Sequence, residues 1–201
     1  MAFLKRYCVL LFLLFSCSRI HAQLLDSLTL DTMNAYTSLE EAMRHPEKVI
    51  KLELKREKLK QFPLQVLKFT NLQYLDLSKN KIKELPEGID TLKNLQFLIL
   101  SRNKLEKLPK QIGGLPNLKL LNINQNELFD LPAQLGKLEK LEVLDLWSNN
   151  IGSFPEEMKY MKNLRVLDLR VIMISDEEQA KIKSFLPNTK IFLSPNCKCQ
   201  L

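Results

Sequence analysis

Asp145 and Asp168 are the residues whose type and spacing come nearest to chemistry. Each sits in the run Val-Leu-Asp-Leu, and the two lie 23 positions apart. If those runs lie side by side, two carboxylates become neighbours. Such a pair can serve acid/base work, as in glycoside hydrolysis, or attract a cation. Acid/base work also needs an enclosed site that raises one pKa, and calcium takes about six to eight oxygens. No third acid or metal-ligand cluster accompanies the pair. His21 and His45 lie apart from it, and the five glycines form no phosphate-cradling loop. We therefore expect a protein that is not an enzyme, with no catalytic residue, no metal and no cofactor.

The two aspartates belong to a pattern that runs through most of the chain. Val49, Leu72, Leu95, Leu118, Leu141 and Leu164 open six copies of a 23-residue unit, in register and without insertion or deletion. A fixed period of this size marks a solenoid, in which each unit completes its core only by stacking on its neighbours. In the second copy Leu75 and Leu77 alternate with Asp76 and Ser78, the period of a strand with one buried face. Asn80 ends that strand, and Asn103, Asn126 and Asn149 hold the same place in later copies. A side-chain amide there can satisfy backbone groups that lose their ladder partners at the turn, so these residues read as a buried polar ladder. Phe62-Pro63, Leu85-Pro86, Leu108-Pro109, Leu131-Pro132 and Phe154-Pro155 follow. Proline cannot donate to a central strand, so this half should run extended or as a short helical turn. Ile89, Ile112, Leu135 and Met158, with Leu92, Leu115, Leu138 and Met161, should bury its inner face.

The pattern Leu-x-x-Leu-x-Leu-x-x-Asn-x-Leu-x-x-Leu-Pro-x-x-Ile/Leu-x-x-Leu resembles the leucine-rich repeat, in its typical 23-residue class. Ras-suppressor and Scribble-type proteins and many bacterial surface or secreted proteins carry it. The resemblance covers residues 49 to about 174. It implies an α/β solenoid, a horseshoe with a parallel sheet on its concave side, and protein ligands as the usual partners.

The ends differ from the repeats. Ser38-Leu-Glu-Glu41 and Ser175-Asp-Glu-Glu178 read as capping boxes. They predict a short helix over 38–45, stopped by Pro46, and a second one carrying Ile182, Phe185 and Leu186. Lys190–Leu193 reads as a final edge strand. Lys5 and Arg6 precede the apolar run Tyr7–Phe15, too short for the roughly 20 residues of a membrane span. We expect 1–22 to be a secretory signal peptide cut after Ala22, 23–37 an N-terminal linker, and 38–201 the repeat domain, its six copies running from 49 to about 186. The protein would then be secreted, periplasmic or on the cell surface. The alternative is a lipoprotein anchored through Cys17, since Leu14-Phe15-Ser16-Cys17 resembles a lipobox; only then would a membrane be a partner. Cys8 and Cys17 go with the signal, which leaves Cys197 and Cys199 as tail thiols or as a route to a disulfide-linked dimer. Removing 1–22 takes away Lys5, Arg6 and Arg19 and no acid, so the net charge of +7 falls to +4. Both signs are scattered through the repeats, and we expect no nucleic acid partner.

Positions three, five and seven of each copy should face the concave side, since side chains alternate along a strand. Column three reads Lys51, Tyr74, Phe97, Leu120, Val143 and Val166. Column five reads Glu53, Asp76, Ile99, Asn122, Asp145 and Asp168, and column seven Lys55, Ser78, Ser101, Asn124, Trp147 and Arg170. Tyr74, Phe97, Ile99, Asn122, Asn124, Asp145, Trp147 and Arg170 form a candidate partner-binding patch. Phe97 and Trp147 would be its anchors, because buried aromatics carry much of an interface's energy. Arg170 is placed to stack over Trp147. Column three is often apolar in the family for packing alone, which is the competing account of Val143 and Val166. The expected function is a secreted or surface-exposed protein-binding module. The alternatives are an intracellular scaffold of Ras-suppressor type, or binding or hydrolysis of envelope sugars.

Overall fold

A computed structural model describes residues 24–194. The signal-like segment 1–22, with Cys8, Cys17, His21 and Ala22, lies outside the described residues. So do Gln23, Cys197 and Cys199.

Seven parallel strands form one sheet in sequence order: β1 (Lys51–Glu53), β2 (Tyr74–Asp76), β3 (Phe97–Ile99), β4 (Leu120–Asn122), β5 (Val143–Asp145), β6 (Val166–Leu169) and β7 (Lys190–Leu193). The register follows the 23-residue period, with Leu75 opposite Leu98 and Leu144 opposite Leu167. Positions four and six of every copy, such as Leu98 and Leu100, are buried. Position three from Tyr74 onward is half-buried on the opposite side. The molecule is an α/β solenoid.

Each of the first five copies returns along the outer side through a 3₁₀ turn: Leu64–Lys68, Glu87–Thr91, Lys110–Gly114, Ala133–Lys137 and Glu156–Tyr160. Proline precedes every one, with φ between −73° and −67°. It has no N–H to leave unpaired there, and its carbonyl accepts the first bond of the turn, as from Ile89 N–H to Pro86 at 3.1 Å. Successive turns press close together. A Cβ at Gly136 would stand 2.2 Å from the carbonyl oxygen of Glu157, and one at Gly113 equally close to that of Gln134. Only glycine fits at these two approaches.

The asparagine ladder is present. Asn103 Nδ2 donates to the carbonyls of Leu77 and Leu100 at 2.9 Å each, while its oxygen accepts from Ile82 N–H at 3.0 Å. Asn126 repeats this one turn on, with Leu100, Ile123 and Leu105. A second amide ladder lies at position twenty-three, on the outer side. Asn71, Asn94, Asn117 and Asn163 each donate to a carbonyl of the preceding turn, as from Asn94 to Thr70 at 2.9 Å.

Both serines act as N-caps, and Glu178 turns its side chain to Phe154 N–H at 2.8 Å. Ser38 caps α2 (Leu39–Ala42) through Glu41 N–H, and Ser175 caps α3 (Asp176–Phe185) through Glu178 N–H. The first helix is shorter than 38–45. His45, preceding Pro46, is forced out of helical geometry (φ −141°, ψ 67°), and the chain tightens through Arg44 N–H to Glu41 and His45 N–H to Ala42. Pro46 then opens a 3₁₀ turn of its own, Pro46–Lys48.

The stretch 23–37 departs from the expected linker. It holds α1 (Ser27–Thr32), N-capped by Asp26, with Leu30 buried. Leu25 N–H donates to Gln73 Oε1 at 2.8 Å, and Gln96 Nε2 donates to the Leu25 carbonyl at 2.9 Å. Tyr36 then pairs with Leu52 as a bridge along the free edge of β1. Residues 25–36 therefore form a strap that starts at the third copy and returns to the edge of the first. The backbone groups of β1 and the side chains of Lys51, Gln73 and Gln96 would otherwise lose these partners, which is the physical reason the stretch is ordered.

Candidate functional site

Strand alternation brings all eight candidate residues to the concave side, and they divide into an apolar row and a polar network. In column three Tyr74 and Phe97 lie with ring centroids 5.8 Å apart, inclined at 31°. Phe97 neighbours Leu120 across the sheet, and Ile99 neighbours Asn122. These side chains are half-buried, as for residues that touch one another and still present a face outward.

Tyr74 is the least free of them. α1 lies at this end of the face: Lys51 Nζ donates to the carbonyls of Leu30 and Asp31 at 2.9 and 3.0 Å, and sits 4.8 Å from the Tyr74 ring centre. Burial, with the charges of Asp76, Glu53 and Asp31 adding to it, pushes the Tyr74 phenol up to about 12. The strap thus takes one end of the patch, and the open part begins at Phe97.

The polar network follows a local rule. The position-five side chain accepts a bond from the N–H two residues on, where the strand ends: Asp76 from Ser78, Asn122 from Asn124, Asp145 from Trp147 and Asp168 from Arg170, at 2.8 to 3.1 Å. These are Asx turns. Asn, Asp, Asp and Asp at one position of four copies was the sequence signal for them. Asn124 Nδ2 adds a bond to Asp145 Oδ2 at 2.6 Å. Both Asp145 oxygens are thereby engaged, and they hold the Trp147 backbone and the Asn124 amide in place. Burial raises the Asp145 pKa, the Asn124 and Trp147 donors oppose that, and the neighbouring Asp168 charge adds to it.

Asp168 is different. Burial works against its charge, but the Arg170 guanidinium and N–H outweigh that and hold the carboxyl below its ordinary value. Arg170 Nε donates to both carboxylate oxygens at 3.0 and 3.1 Å, and its guanidinium carbon lies 5.5 Å from the Phe192 ring centre. The stacking partner of Arg170 is thus Phe192, not Trp147. β7 sets Phe192 opposite Asp168, one rung outward, and the carboxylate beneath draws the guanidinium to that side. Among the described residues no ring or cation stacks on Trp147.

The surroundings push the two pKa values apart, Asp145 up and Asp168 down, but both carboxylates are engaged: Asp168 is paired with Arg170, and the two Asp145 oxygens hold the turn and the Asn124 amide. Among the described residues no cluster of three or more His, Cys, Asp or Glu could hold a metal, and no helix is long and apolar enough to cross a membrane. A shallow hollow of about 890 Å³, lined by Gln134, Lys137, Glu157 and Tyr160, lies on the outer side between two 3₁₀ turns, away from these columns.

A family model described as a leucine-rich repeat region matches residues 42–190. Among solved structures, a leucine-rich repeat protein of Leptospira interrogans is 32% identical, with a TM-score of 0.64 over 81% of this chain and 47% of its own. Internalin C2 of Listeria monocytogenes is 26% identical, with a TM-score of 0.67 over 80% of this chain and 68% of its own. The leucine-rich repeat ectodomain of a plant membrane receptor kinase from Arabidopsis thaliana, solved in complex with Casparian strip integrity factor 2, is 28% identical, with a TM-score of 0.54 over 66% of this chain and 17% of its own. The chain thus spans about half the length of the Leptospira protein and a smaller part of the plant receptor. No curated protein matches it.

Proposed function

The chain belongs to the leucine-rich repeat family, and on that premise we propose that it is a protein-binding module that works through the open part of its concave face. The observation that carries this reading is the position of Trp147. It stands half-buried in column seven with no ring or cation of the described residues over it, while Asp145 holds its backbone N–H and the Asn124 amide beside it. A large aromatic held rigidly at an open face loses little entropy on binding, which is the property of an interface anchor. Phe97 is the second anchor and Ile99 lies beside it. Asn122, Asn124, Asp145 and Arg170 supply direction, and Tyr74 contributes only the edge that the strap leaves open. The complex of the similar plant receptor ectodomain with its named factor supports a protein or peptide as the ligand class.

Trp147→Ala and Phe97→Ala are each expected to weaken the partner captured by the wild-type protein by about 2 kcal/mol or more. Titration of that partner against the three proteins reads this directly, and unchanged affinity in both variants removes the patch from consideration.

The module acts outside the cytoplasm in this reading. Lys5 and Arg6 ahead of a short apolar run, with small Ala22 behind it, support an export signal. Mass spectrometry of the mature chain is expected to find Gln23 at its start. A lipid-bearing Cys17 would place the protein on a membrane instead, and an intact Met1 would rule out a cleaved signal.

A further inference from the structure

The turns that leave the strands carry a charge pattern that the concave face does not use. Positions eight to thirteen of the first three copies, residues 56–61, 79–84 and 102–107, hold nine Lys or Arg against three Glu. The same positions of the last three copies, 125–130, 148–153 and 171–176, hold no cation and three acids, Glu127, Asp130 and Asp176.

The fold turns this into two exposed columns, Arg56-Lys79-Arg102 and Lys58-Lys81-Lys104. They are held in line from rung to rung. Lys79 N–H bonds to the Ser101 carbonyl and Lys81 N–H to that of Leu59, both at 2.8 Å; Arg102 and Lys104 repeat this at 2.9 Å with Asn124 and Ile82. The strand spacing of about 4.8 Å therefore continues through the rim. Among the described residues none of these six cations is in a salt bridge. Along the other half of the rim the same positions expose apolar side chains: Phe129 and Val171, 59% exposed each, and Met173, 99% exposed.

We propose that this rim is a second docking surface, for a protein whose contacting face is acidic over the first three copies and apolar over the last three. Like charges packed in two columns repel one another and are relieved by anions brought from outside. A bilayer, a nucleic acid or a sulfated polysaccharide carries one kind of charge along its length. Lying along the rim, it would set anions against Glu127, Asp130 and Asp176. A folded protein places acidic and apolar surface side by side, as interfaces do. A second copy of this chain brings three acids on its own rim to nine cations, which leaves most of them unpaired. The rim is independent of the concave face, and the two readings stand or fall separately.

The test measures binding of three probes to the mature protein: a synthetic peptide with a glutamate-rich half and a leucine- and tryptophan-rich half, heparin, and phosphatidylserine vesicles. The peptide is expected to bind most tightly, and more weakly as salt rises. The triple variant Lys81→Glu/Lys83→Glu/Lys104→Glu, whose side chains are exposed, should lose at least about tenfold in peptide affinity. Phe129→Ser should lose a smaller factor, and Lys137→Glu/Lys162→Glu on the outer side should stay within about twofold. Trp147→Ala should leave this binding unchanged. Failure of the peptide to bind, tighter binding of heparin or vesicles, or equal losses in the rim and outer-side variants would overturn the proposal. Circular dichroism of each variant separates loss of binding from loss of fold.

Discussion

Asn126→Ala is expected to lower the stability of the protein by about 3 kcal/mol, read as a fall in the urea midpoint at unchanged slope. The amide nitrogen donates to the buried carbonyls of Leu100, Ile123 and Asn124, and the amide oxygen accepts from Leu105 N–H. Leu100 and Ile123 each keep one partner when it is removed, because Asn103 and Asn149 donate to the same oxygens. Leu105 N–H keeps none, and a cavity is left beside it. Asn126→Asp separates the two effects. It preserves the shape and fills the space, but turns a carboxylate toward three carbonyl oxygens. That variant should be at least as unstable as the alanine one at pH 7. The introduced carboxyl should have a raised pKa in the folded state, so the stability it retains is present at low pH and is lost as pH rises through that pKa. An aspartate variant as stable as wild type at neutral pH would mean that the ladder works by shape alone.

Lys51→Met is expected to free the strap and leave the solenoid folded, at a cost of about 3 kcal/mol to local opening. Lys51 is 6% exposed. It bonds the carbonyls of Leu30 and Asp31 and lies 3.7 Å from Glu53. Methionine has the length but no donor, so the two carbonyls near the end of α1 lose their charged partner. Hydrogen exchange should accelerate at Leu30 and Met33, whose N–H groups bond within α1, and remain slow at Leu121 in the middle of the sheet. The Tyr74 phenol, held up near 12 chiefly by burial, should then titrate nearer its ordinary value. Unchanged exchange in residues 24–36 would show that Leu30 burial, with the Leu25 and Tyr36 contacts, holds the strap without Lys51.

Most of the fold was legible because its interactions join like positions of neighbouring copies, and such positions can be aligned by counting. Leu75, Asn80 and Pro86 announce their roles by recurring, and Ser38 and Ser175 announce the caps by a local spacing. The strap gives no such sign. Of its partners, Lys51 departs from an otherwise apolar column, Gln73 and Gln96 fall at the variable second position, and Leu25 and Leu30 carry no period. The candidate site was legible as a set of columns but not as a network. Asp145 and Asn122 read as outward-facing groups, whereas each spends an oxygen on the backbone two residues further along. Alignment shows Asn or Asp recurring at this position, but the bond lies within one copy, so alignment does not say which backbone group it meets. Column seven sets Arg170 and Trp147 on adjacent rungs, which points to a contact between them. The ring that Arg170 meets belongs to β7, which lies beyond the last copy. The outer ladder of Asn71, Asn94, Asn117 and Asn163 recurs as plainly as the inner one and was legible by the same rule.

The path of the strap also sets an order of events in folding. Ladder bonds in the stacked copies close loops of one turn, as between Ile82 and Asn103, 21 residues apart, or Asn126 and Leu100, 26 apart. Each of these can form as soon as two adjacent copies have met. The bond from Gln96 to Leu25 closes 71 residues, and its landing place exists only once the first three copies are stacked. Long closures carry more entropic cost and come later. The strap, made before the copies that it crosses, is therefore among the last parts to find its place.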